Sequence, residues 1–378
     1  MNHSDFPRPI ARKVSDLIGN TPLFELLKTQ NNQRVLLKLE SFNPTGSAKI
    51  RMAQSMINSA LRESKLEPGG TIVESTSGNT GQGLAALSIE NDFNFHAIVD
   101  NHACKDKLNF MKALGSTLHY VAEEGDGSLS TSAREDLAEK LGKANGWHFT
   151  KQHDNDANAL GYYSAADEII RDLGDAPNFI ISPVGTGGSL FGVTERLRQQ
   201  KHHIKAVGVE PEGSIAFGGP GHDYFQSGTG TPLGAVIGTA VRYDLLNSGI
   251  KVSDAAAFAT CRAVAMHSGI LLGGSAGGAV AAILDALPNL PDNVSIVTIA
   301  CDGGEKYLDT VYNDEWLVKN NLHSPMLEHQ ILSLLQDFNN RSGITNTQGI
   351  RIEKHSIGDF SRVSWCEGDA IPNLGMES

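Results

Sequence analysis

The sequence predicts an α/β fold built on parallel sheets with helices on both faces. Short β-branched or aliphatic runs alternate with amphipathic stretches, and glycine-rich loops stand where the predicted strands end and helices begin. Glycine is enriched, at 40 of 378 residues, whereas the 14 prolines are unremarkable, which favours many tight turns over a collagen-like or low-complexity chain. A chain of this length allows two or three domains with a sizeable core.

The elements follow from the hydrophobic pattern. Predicted strands are the short aliphatic segments 35–39, 71–73, 95–99, 179–182, 205–209 and 294–300. Predicted helices are the amphipathic segments 49–61, 82–90, 105–114, 131–141 and 255–268. A last helix is expected after Ser324, a capping residue followed by Pro325, and we expect it to pack on the body or across a dimer interface. Its apolar stripe is Leu327, Ile331, Leu334, Leu335 and Phe338.

Charge and cysteine content exclude several classes of function. The formal charge of −12 disfavours nucleic acid and anionic membrane surfaces as partners. No apolar run approaches the roughly 18 residues of a membrane span, and the histidines form no H-E-x-x-H motif that would support a metal site. The four cysteines form no C-x-x-C pair, which indicates reduced thiols and a cytoplasmic protein without structural zinc. They are Cys104, Cys261, Cys301 and Cys366.

The first candidate binding loop, residues 41–51, joins a strand to a helix. Ser47 is its predicted N-cap, which puts Lys49 in the first helical turn. The positive end of the helix dipole disfavours an ammonium there and lowers the pKa of the lysine, as a Schiff-base lysine requires. A solvated surface lysine is the alternative.

Three further loops have binding character. Loop 74–81 presents hydroxyls and helix-terminal N–H groups that suit a carboxylate. The alternative is a simple capped turn, which needs only one of these hydroxyls. Loop 183–189 has glycines that suit a phosphate, but a dinucleotide fingerprint competes because Glu210 ends the next strand and only Leu190 breaks its glycine pattern. Loop 273–278 holds Ser275 among glycines, which suits either a flat heteroaromatic ring or close helix packing.

Together these loops resemble the cysteine synthase and cystathionine β-synthase family of pyridoxal-phosphate enzymes, the β-family or fold type II. The resemblance extends from about residue 12 to 317 in the family's order of motifs, and it outweighs the dinucleotide alternative. The motifs are D-L-I-G-N-T-P-L (16–23), N-P-T-G-S-A-K (43–49), P-G-G-T-I-V-E-S-T-S-G-N-T-G (68–81), V-G-V-E-P (207–211), G-G-S-A-G (273–277) and G-E-K-Y-L (304–308).

The resemblance implies two three-layer α/β domains, similar to the tryptophan synthase β subunit, with pyridoxal 5′-phosphate in the cleft between them. It implies a larger phosphate-binding domain of residues 12–40 and 153–320, and a smaller carboxylate-binding domain of residues 41–152. Residues 321–378 are expected to form a C-terminal helical extension. The resemblance also implies a homodimer and a role in amino-acid biosynthesis.

Carried over to matching positions, the resemblance implies that Lys49 forms the internal aldimine and that Asn79 hydrogen-bonds the cofactor's phenolic oxygen. Ser275 is expected to face the pyridine nitrogen. The residues expected to hold the phosphate are Gly185, Thr186, Gly187, Gly188 and Ser189. Those expected to bind the carboxylate of the amino-acid substrate are Thr76, Ser77, Thr80 and Gln152.

This set of residues predicts β-replacement on an O-activated L-serine, either O-acetylserine or O-phosphoserine, through an aminoacrylate. A neutral serine at the ring nitrogen makes the cofactor a weak electron sink, which disfavours transamination but permits loss of a good leaving group. Lys49 is the candidate base that removes the Cα proton. The product is cysteine or a related β-substituted alanine. Alternatives are an amine-nucleophile synthase of a diaminopropionate precursor, a serine or threonine deaminase, and a catalytically idle cofactor-binding partner protein.

Departures from the family pattern leave the nucleophile open. Residues 235–243 replace the loop that faces the second substrate, and Cys301 with Asp302 replaces a pair that usually contains proline. Arg242 is a candidate for binding a phosphate leaving group or a second carboxylate, with a surface salt bridge as the alternative. Other lysines that compete for the Schiff base are Lys38, Lys105 and Lys306.

Overall fold

The computed structural model describes residues 10–76, 78–100, 104–121, 131–200 and 202–339. Within these ranges the strands are β1 (Leu23–Lys28), β2 (Arg34–Leu39), β3 (Thr71–Ser75), β4 (Asn94–Val99), β5 (Thr117–Tyr120), β6 (His148–Phe149), β7 (Phe179–Pro183), β8 (Lys205–Pro211), β9 (Ser248–Val252) and β10 (Ser295–Ala300). The α-helices are α1 (Lys49–Arg62), α2 (Asn79–Glu90), α3 (Lys105–Ala113), α4 (Thr131–Asn145), α5 (Ala157–Leu160), α6 (Tyr163–Leu173), α7 (Gly188–Gln199), α8 (Asp254–Ser268), α9 (Gly274–Ala286), α10 (Asp314–Lys319) and α11 (Pro325–Asn339).

The larger sheet has six strands in the order β1-β2-β10-β7-β8-β9. All neighbours are parallel except the antiparallel pair β1 and β2. Alternate strand residues pack into two cores, with Leu37 and Ile181 facing α8, α9 and α11, and Leu36 and Ile180 facing α6 and α7. Burial on both faces explains the nearly continuous hydrophobic runs of these strands.

The smaller sheet has four parallel strands in the order β5-β4-β3-β6. Helices α1, α2 and α3 pack on one face, and α4 packs on the other through Ala138. Helix α1 contributes Met52 and Met56 to a core of the larger sheet, but Ile50 and Ala53 to the core of the smaller one. Its first residue, Lys49, therefore lies where the two sheets meet.

The predicted α/β class with parallel sheets is confirmed. Each of the six predicted strands is present, whereas β1, β5, β6 and β9 were not predicted. The predicted cap at Ser47 is wrong: Ala48 occupies the N-cap of α1 and donates its N–H to Cys301 O at 2.7 Å, while the Ser47 hydroxyl has no partner among the residues the structure describes.

Helix α11 begins at Pro325, and Ile331 and Leu335 of its apolar stripe are fully buried against the larger sheet's core. The part of the expected extension beyond residue 339, and Cys366 with it, lies outside the described residues. None of the helices in the described ranges is long and apolar enough to cross a membrane.

Candidate active site

Lys49 is the first residue of α1 and follows the loop that leaves β2. Burial lowers the pKa of its ammonium, and the nearby carboxylate of Asp302 opposes this effect. Within the described part of the chain, its amine takes part in no hydrogen bond or ion pair. The amine of this half-buried side chain thus has no partner among the described residues, which suits covalent attachment to an aldehyde.

The loop between β7 and α7 forms a cradle of backbone N–H groups. Gly187 has φ +91°, a conformation that favours glycine, and it caps α7. Among described residues, the amides of Gly187, Gly188 and Ser189 donate to no carbonyl. A Cβ on Gly188 would lie 1.9 Å from Asn158 Oδ1, so glycine is required for this close approach. Free N–H groups at a helix N-terminus suit a phosphate.

Asn158 connects this cradle with the loop that carries Gln152. Its fully buried amide donates from Nδ2 to Gln152 O at 2.8 Å and to Thr186 Oγ1 at 3.0 Å. Its Oδ1 is buried and has no partner within the described ranges. Asn158 was not predicted from the sequence, because its contact with Thr186 is made only in the fold.

The loop between β3 and α2 brings the predicted carboxylate-binding residues together. Thr80 Oγ1 donates to Gln152 Oε1 at 2.7 Å, and Gln152 Nε2 donates to Ser75 O at 3.0 Å. Thr76 Oγ1 accepts the N–H of Gly81 at 3.0 Å, which fixes the turn into α2. Thr76, Thr80 and Gln152 are all buried. Ser77 lies outside the described residues.

Glu74 was not predicted as a site residue from the sequence. Its carboxylate links the end of β3 to the segment that carries Gln152. It accepts hydrogen bonds from the Thr150 hydroxyl, from Gln152 N at 3.2 Å and from Ser75 N at 2.9 Å. Burial raises the pKa of Glu74 to about 8, and the three donated hydrogen bonds act against the rise. Glu74 thereby fixes the position of Gln152 relative to β3.

The segment Cys301–Asp302 after β10 connects all four loops. Cys301 O accepts the N–H of Ala48, and its thiol interacts with Ser189 of the phosphate cradle. Asp302 Oδ2 accepts from Asn79 Nδ2 at 2.7 Å, and Asp302 O accepts from Gly273 N at 3.3 Å. The four loops that the sequence singled out therefore converge around the amine of Lys49.

The residues present fit pyridoxal phosphate. The glycine cradle would accept the phosphate, and Ser275, at the start of α9, keeps a hydroxyl without a partner among the described residues. Among the buried polar atoms that have no partner in the described part of the chain, four belong to this region: Thr45 Oγ1, Ser47 Oγ, Asn158 Oδ1 and Tyr162 OH. Such groups are costly unless a ligand or water satisfies them, so this region is built to hold a polar molecule.

The competing residues have other partners or lie on the surface. Lys38 is fully buried and forms an ion pair with Glu168 at 2.8 Å, Lys306 donates three hydrogen bonds, and Lys105 is exposed on α3. Glu210 accepts from Lys251 at 2.5 Å, which occupies the carboxylate that a dinucleotide would need. Arg242 pairs with Asp244 at 2.7 Å on the surface.

The model of the family of pyridoxal-phosphate-dependent enzymes matches residues 14–302 of this chain. A protein of Sinorhizobium fredii named "Putative cysteine synthase" is 43% identical over 84% of this chain and 95% of its own length. N-(2-amino-2-carboxyethyl)-L-glutamate synthase of Ralstonia nicotianae is 32% identical over 82% of this chain and 92% of its own length.

Two solved structures extend the comparison. The structure of an O-ureido-L-serine synthase superposes with a TM-score of 0.74 at 28% identity, covering 82% of this chain and all of that one. The cysteine synthase of Entamoeba histolytica superposes with a TM-score of 0.76 at 29% identity, covering 89% and 98%. The chain therefore belongs to the pyridoxal-phosphate-dependent enzymes of fold type II, in the cysteine synthase family. It is a β-replacement enzyme with pyridoxal phosphate as its cofactor.

Proposed function

We propose that this enzyme acts on O-acetyl-L-serine or O-phospho-L-serine and replaces the activated oxygen at Cβ with an incoming nucleophile. The observation that carries the proposal is the convergence of four loops, through Cys301 and Asp302, around the unpartnered amine of Lys49. A carboxylate-binding loop and a phosphate cradle that both contact the segment beside this amine match an amino-acid substrate and a phosphorylated aldehyde.

The residues have distinct roles in this proposal. The backbone of residues 185–189, with the hydroxyls of Thr186 and Ser189, holds the cofactor's phosphate, and Asn79 donates to its phenolic oxygen. Ser275 accepts or donates at the ring nitrogen without adding charge. Thr76 and Thr80, together with Ser77 and Gln152, bind the substrate carboxylate.

The chemistry is divided between cofactor and lysine. When bound, pyridoxal phosphate withdraws electrons from the Cα of the amino acid joined to it. Lys49 Nζ removes the Cα proton while the leaving group departs from Cβ with the electron pair of the C–O bond. After the nucleophile has added at Cβ, Lys49 returns the proton to Cα. Burial lowers the pKa of Lys49, which favours the neutral amine that this base requires.

We propose a larger domain of residues 12–40 and 153–320, a smaller domain of residues 41–152, and an extension from residue 321. The membership of the two sheets supports this division. We also propose a homodimer in the cytoplasm. Exposed Leu17 and Ile89 flank the hydrogen bonds between Ser15 and Glu90, leaving apolar surface for a second copy to cover. Sedimentation should give about twice the 40.4 kDa of one chain.

An amine is the second candidate nucleophile beside sulfide or a thiol amino acid. The similarity to the Ralstonia synthase, whose named product carries a nitrogen at Cβ, supports it.

The test combines labelling with product analysis. Holoenzyme is reduced with borohydride and mapped by mass spectrometry, with Lys49→Ala as the variant and Lys105→Ala, at an exposed lysine, as the control. We expect the label on Lys49, and loss of turnover in the first variant alone. Protein that stays colourless with cofactor, or that carries the label elsewhere, contradicts the assignment.

The same preparation identifies donor and acceptor. O-acetylserine and O-phosphoserine are each mixed with sulfide, homocysteine, glutamate or no acceptor, and products are identified by mass. A β-substituted alanine from one pairing supports the proposal. Pyruvate as the only product in every mixture indicates a deaminase instead, and no product at all indicates an idle partner protein.

A further inference from the structure

The side-chain amide of Asn79 is held from both sides by groups of opposite charge. Lys306 Nζ donates to Asn79 Oδ1 at 2.8 Å, and Asn79 Nδ2 donates to Asp302 Oδ2 at 2.7 Å. The three residues come from two distant parts of the chain, the start of α2 and the segment after β10. Asp302 of this contact is near enough to the amine of Lys49 to influence its pKa.

The charges allow one orientation of the amide. An ammonium can only donate hydrogen bonds and a carboxylate can only accept them, whereas an amide has one end of each kind. Rotating the Asn79 amide by half a turn would place its N–H groups against the Lys306 ammonium and its oxygen against the Asp302 carboxylate. Both hydrogen bonds would be lost and replaced by repulsion, so the amide cannot reverse.

Each of the two flanking groups is fixed by its own partners. The Lys306 ammonium has three hydrogens, and it donates the other two to Thr45 O at 2.9 Å and Gln82 Oε1 at 3.0 Å. Asp302, which is buried, also accepts from Tyr307 OH at 2.7 Å. The hydroxyl of Tyr307 in turn accepts from Lys107 Nζ at 3.3 Å. The network is therefore a fixed frame around one amide.

We propose that Lys306 and Asp302 are positioning residues that hold the Asn79 amide so that it presents an N–H group, and never its oxygen, to the cofactor's phenolic oxygen. Asn79 has a second N–H hydrogen beyond the one given to Asp302, and this hydrogen remains for the cofactor. The inference rests on the proposed function, in which Asn79 contacts the cofactor.

The test uses the spectrum of the holoenzyme without substrate, because a hydrogen bond to the phenolic oxygen changes the absorption of the bound cofactor. Lys306→Met, Lys306→Arg, Asp302→Asn and Asn79→Ala are compared with Lys319→Met, a control at an exposed lysine. We expect Lys306→Met to shift the absorption maximum in the same direction as Asn79→Ala and to release cofactor about tenfold faster in dialysis. Lys306→Arg, which can still donate to Asn79, should restore most of the wild-type spectrum.

The double variant Lys306→Met with Asn79→Ala separates positioning from general damage. If Lys306 acts through Asn79, the double variant has the spectrum and release rate of Asn79→Ala alone, because the two changes are coupled. Thermal unfolding of the cofactor-free variants checks that each chain is folded.

Three results would overturn the inference. They are a wild-type spectrum for both Lys306→Met and Asp302→Asn, additive effects in the double variant, or a folded Lys306→Arg protein whose spectrum is not restored toward that of wild type. Wild-type chain that takes up no cofactor would instead refute the proposed function, so the two failures are distinguishable.

Discussion

Replacing Gly188 with alanine tests whether the phosphate cradle depends on close contact with Asn158. The added Cβ would lie 1.9 Å from Asn158 Oδ1 and 3.1 Å from Tyr162 Cε2, whereas ordinary contact begins at 3.4 Å. Asn158 is fully buried and must move by about 1.5 Å, the difference between these separations. Such a movement breaks its hydrogen bonds to Gln152 O and Thr186 Oγ1.

The magnitude follows from these contacts. Two lost hydrogen bonds cost about 1 kcal/mol each, and forcing a methyl group into a packed site costs about 1–3 kcal/mol more. We expect a total of roughly 3–5 kcal/mol, divided between the free energy of unfolding and the binding of cofactor. A share of about 1.4 kcal/mol in binding weakens the affinity for pyridoxal phosphate tenfold.

The assay titrates cofactor-free protein with pyridoxal phosphate and measures urea unfolding of the same samples. Gly142→Ala in α4 is the matched control, because its Cβ would meet nothing closer than Trp147 O at 3.2 Å, and an alanine favours the helix. Equal cofactor affinity in the two variants would refute the reasoning, since it would mean that Asn158 yields without affecting the cradle.

Three other predictions concern stability. Arg51→Met leaves the buried carboxylate of Glu40 without its ion-pair partner and should cost about 3–5 kcal/mol in urea unfolding, whereas Arg34→Met, at a half-exposed pair, should cost less than about 1 kcal/mol. The pKa of Glu74 is about 8 in the folded protein against 4.5 ordinarily, so between these pH values the folded state binds a proton that the unfolded state has lost. The free energy of unfolding of wild type should therefore fall by up to roughly 5 kcal/mol relative to Glu74→Gln as the pH rises through that window. Unfolding at about pH 5 and pH 9 checks this difference. Ile331→Ala in α11 should lower the free energy of unfolding by about 2–5 kcal/mol, because Ile331 belongs to the core of the larger sheet. A change of less than about 0.5 kcal/mol, as expected at a surface site, would contradict this.

The fold was predictable where local pattern and burial agree. Strands buried on both faces, such as β7 and β10, have continuous aliphatic runs that no amphipathic helix shares. The missed strands lack this signal: β6 has two residues, β5 is Thr-Leu-His-Tyr at the edge of its sheet, and β1 pairs antiparallel with only Leu26 and Leu27 buried. Their conformation is set by the neighbouring strand and not by their own composition.

The residues of the site were predictable where they belong to short sequence motifs. Glycine-rich loops and the lysine at the start of α1 are visible in the sequence because backbone geometry demands particular residues there. Asp302, Lys306 and Glu74 act through partners that are distant in the sequence, Asn79 lying 223 residues before Asp302. Ser47 shows the same limit, since the N–H of Ala48 at the start of α1 is bound by Cys301 O from another element and no local side chain caps the helix.

Two effects lower the pKa of Lys49, one that is visible in the sequence and one that only the structure reveals. The sequence places the lysine at the positive end of a helix dipole, and the structure adds burial as the largest cause of the lowering. Asp302 opposes both, because its carboxylate is bound by the neutral donors Asn79 and Tyr307, which orient the charge without cancelling it. A fully apolar site would leave Lys49 a weaker base, so the carboxylate keeps the lysine able both to take a proton and to return it.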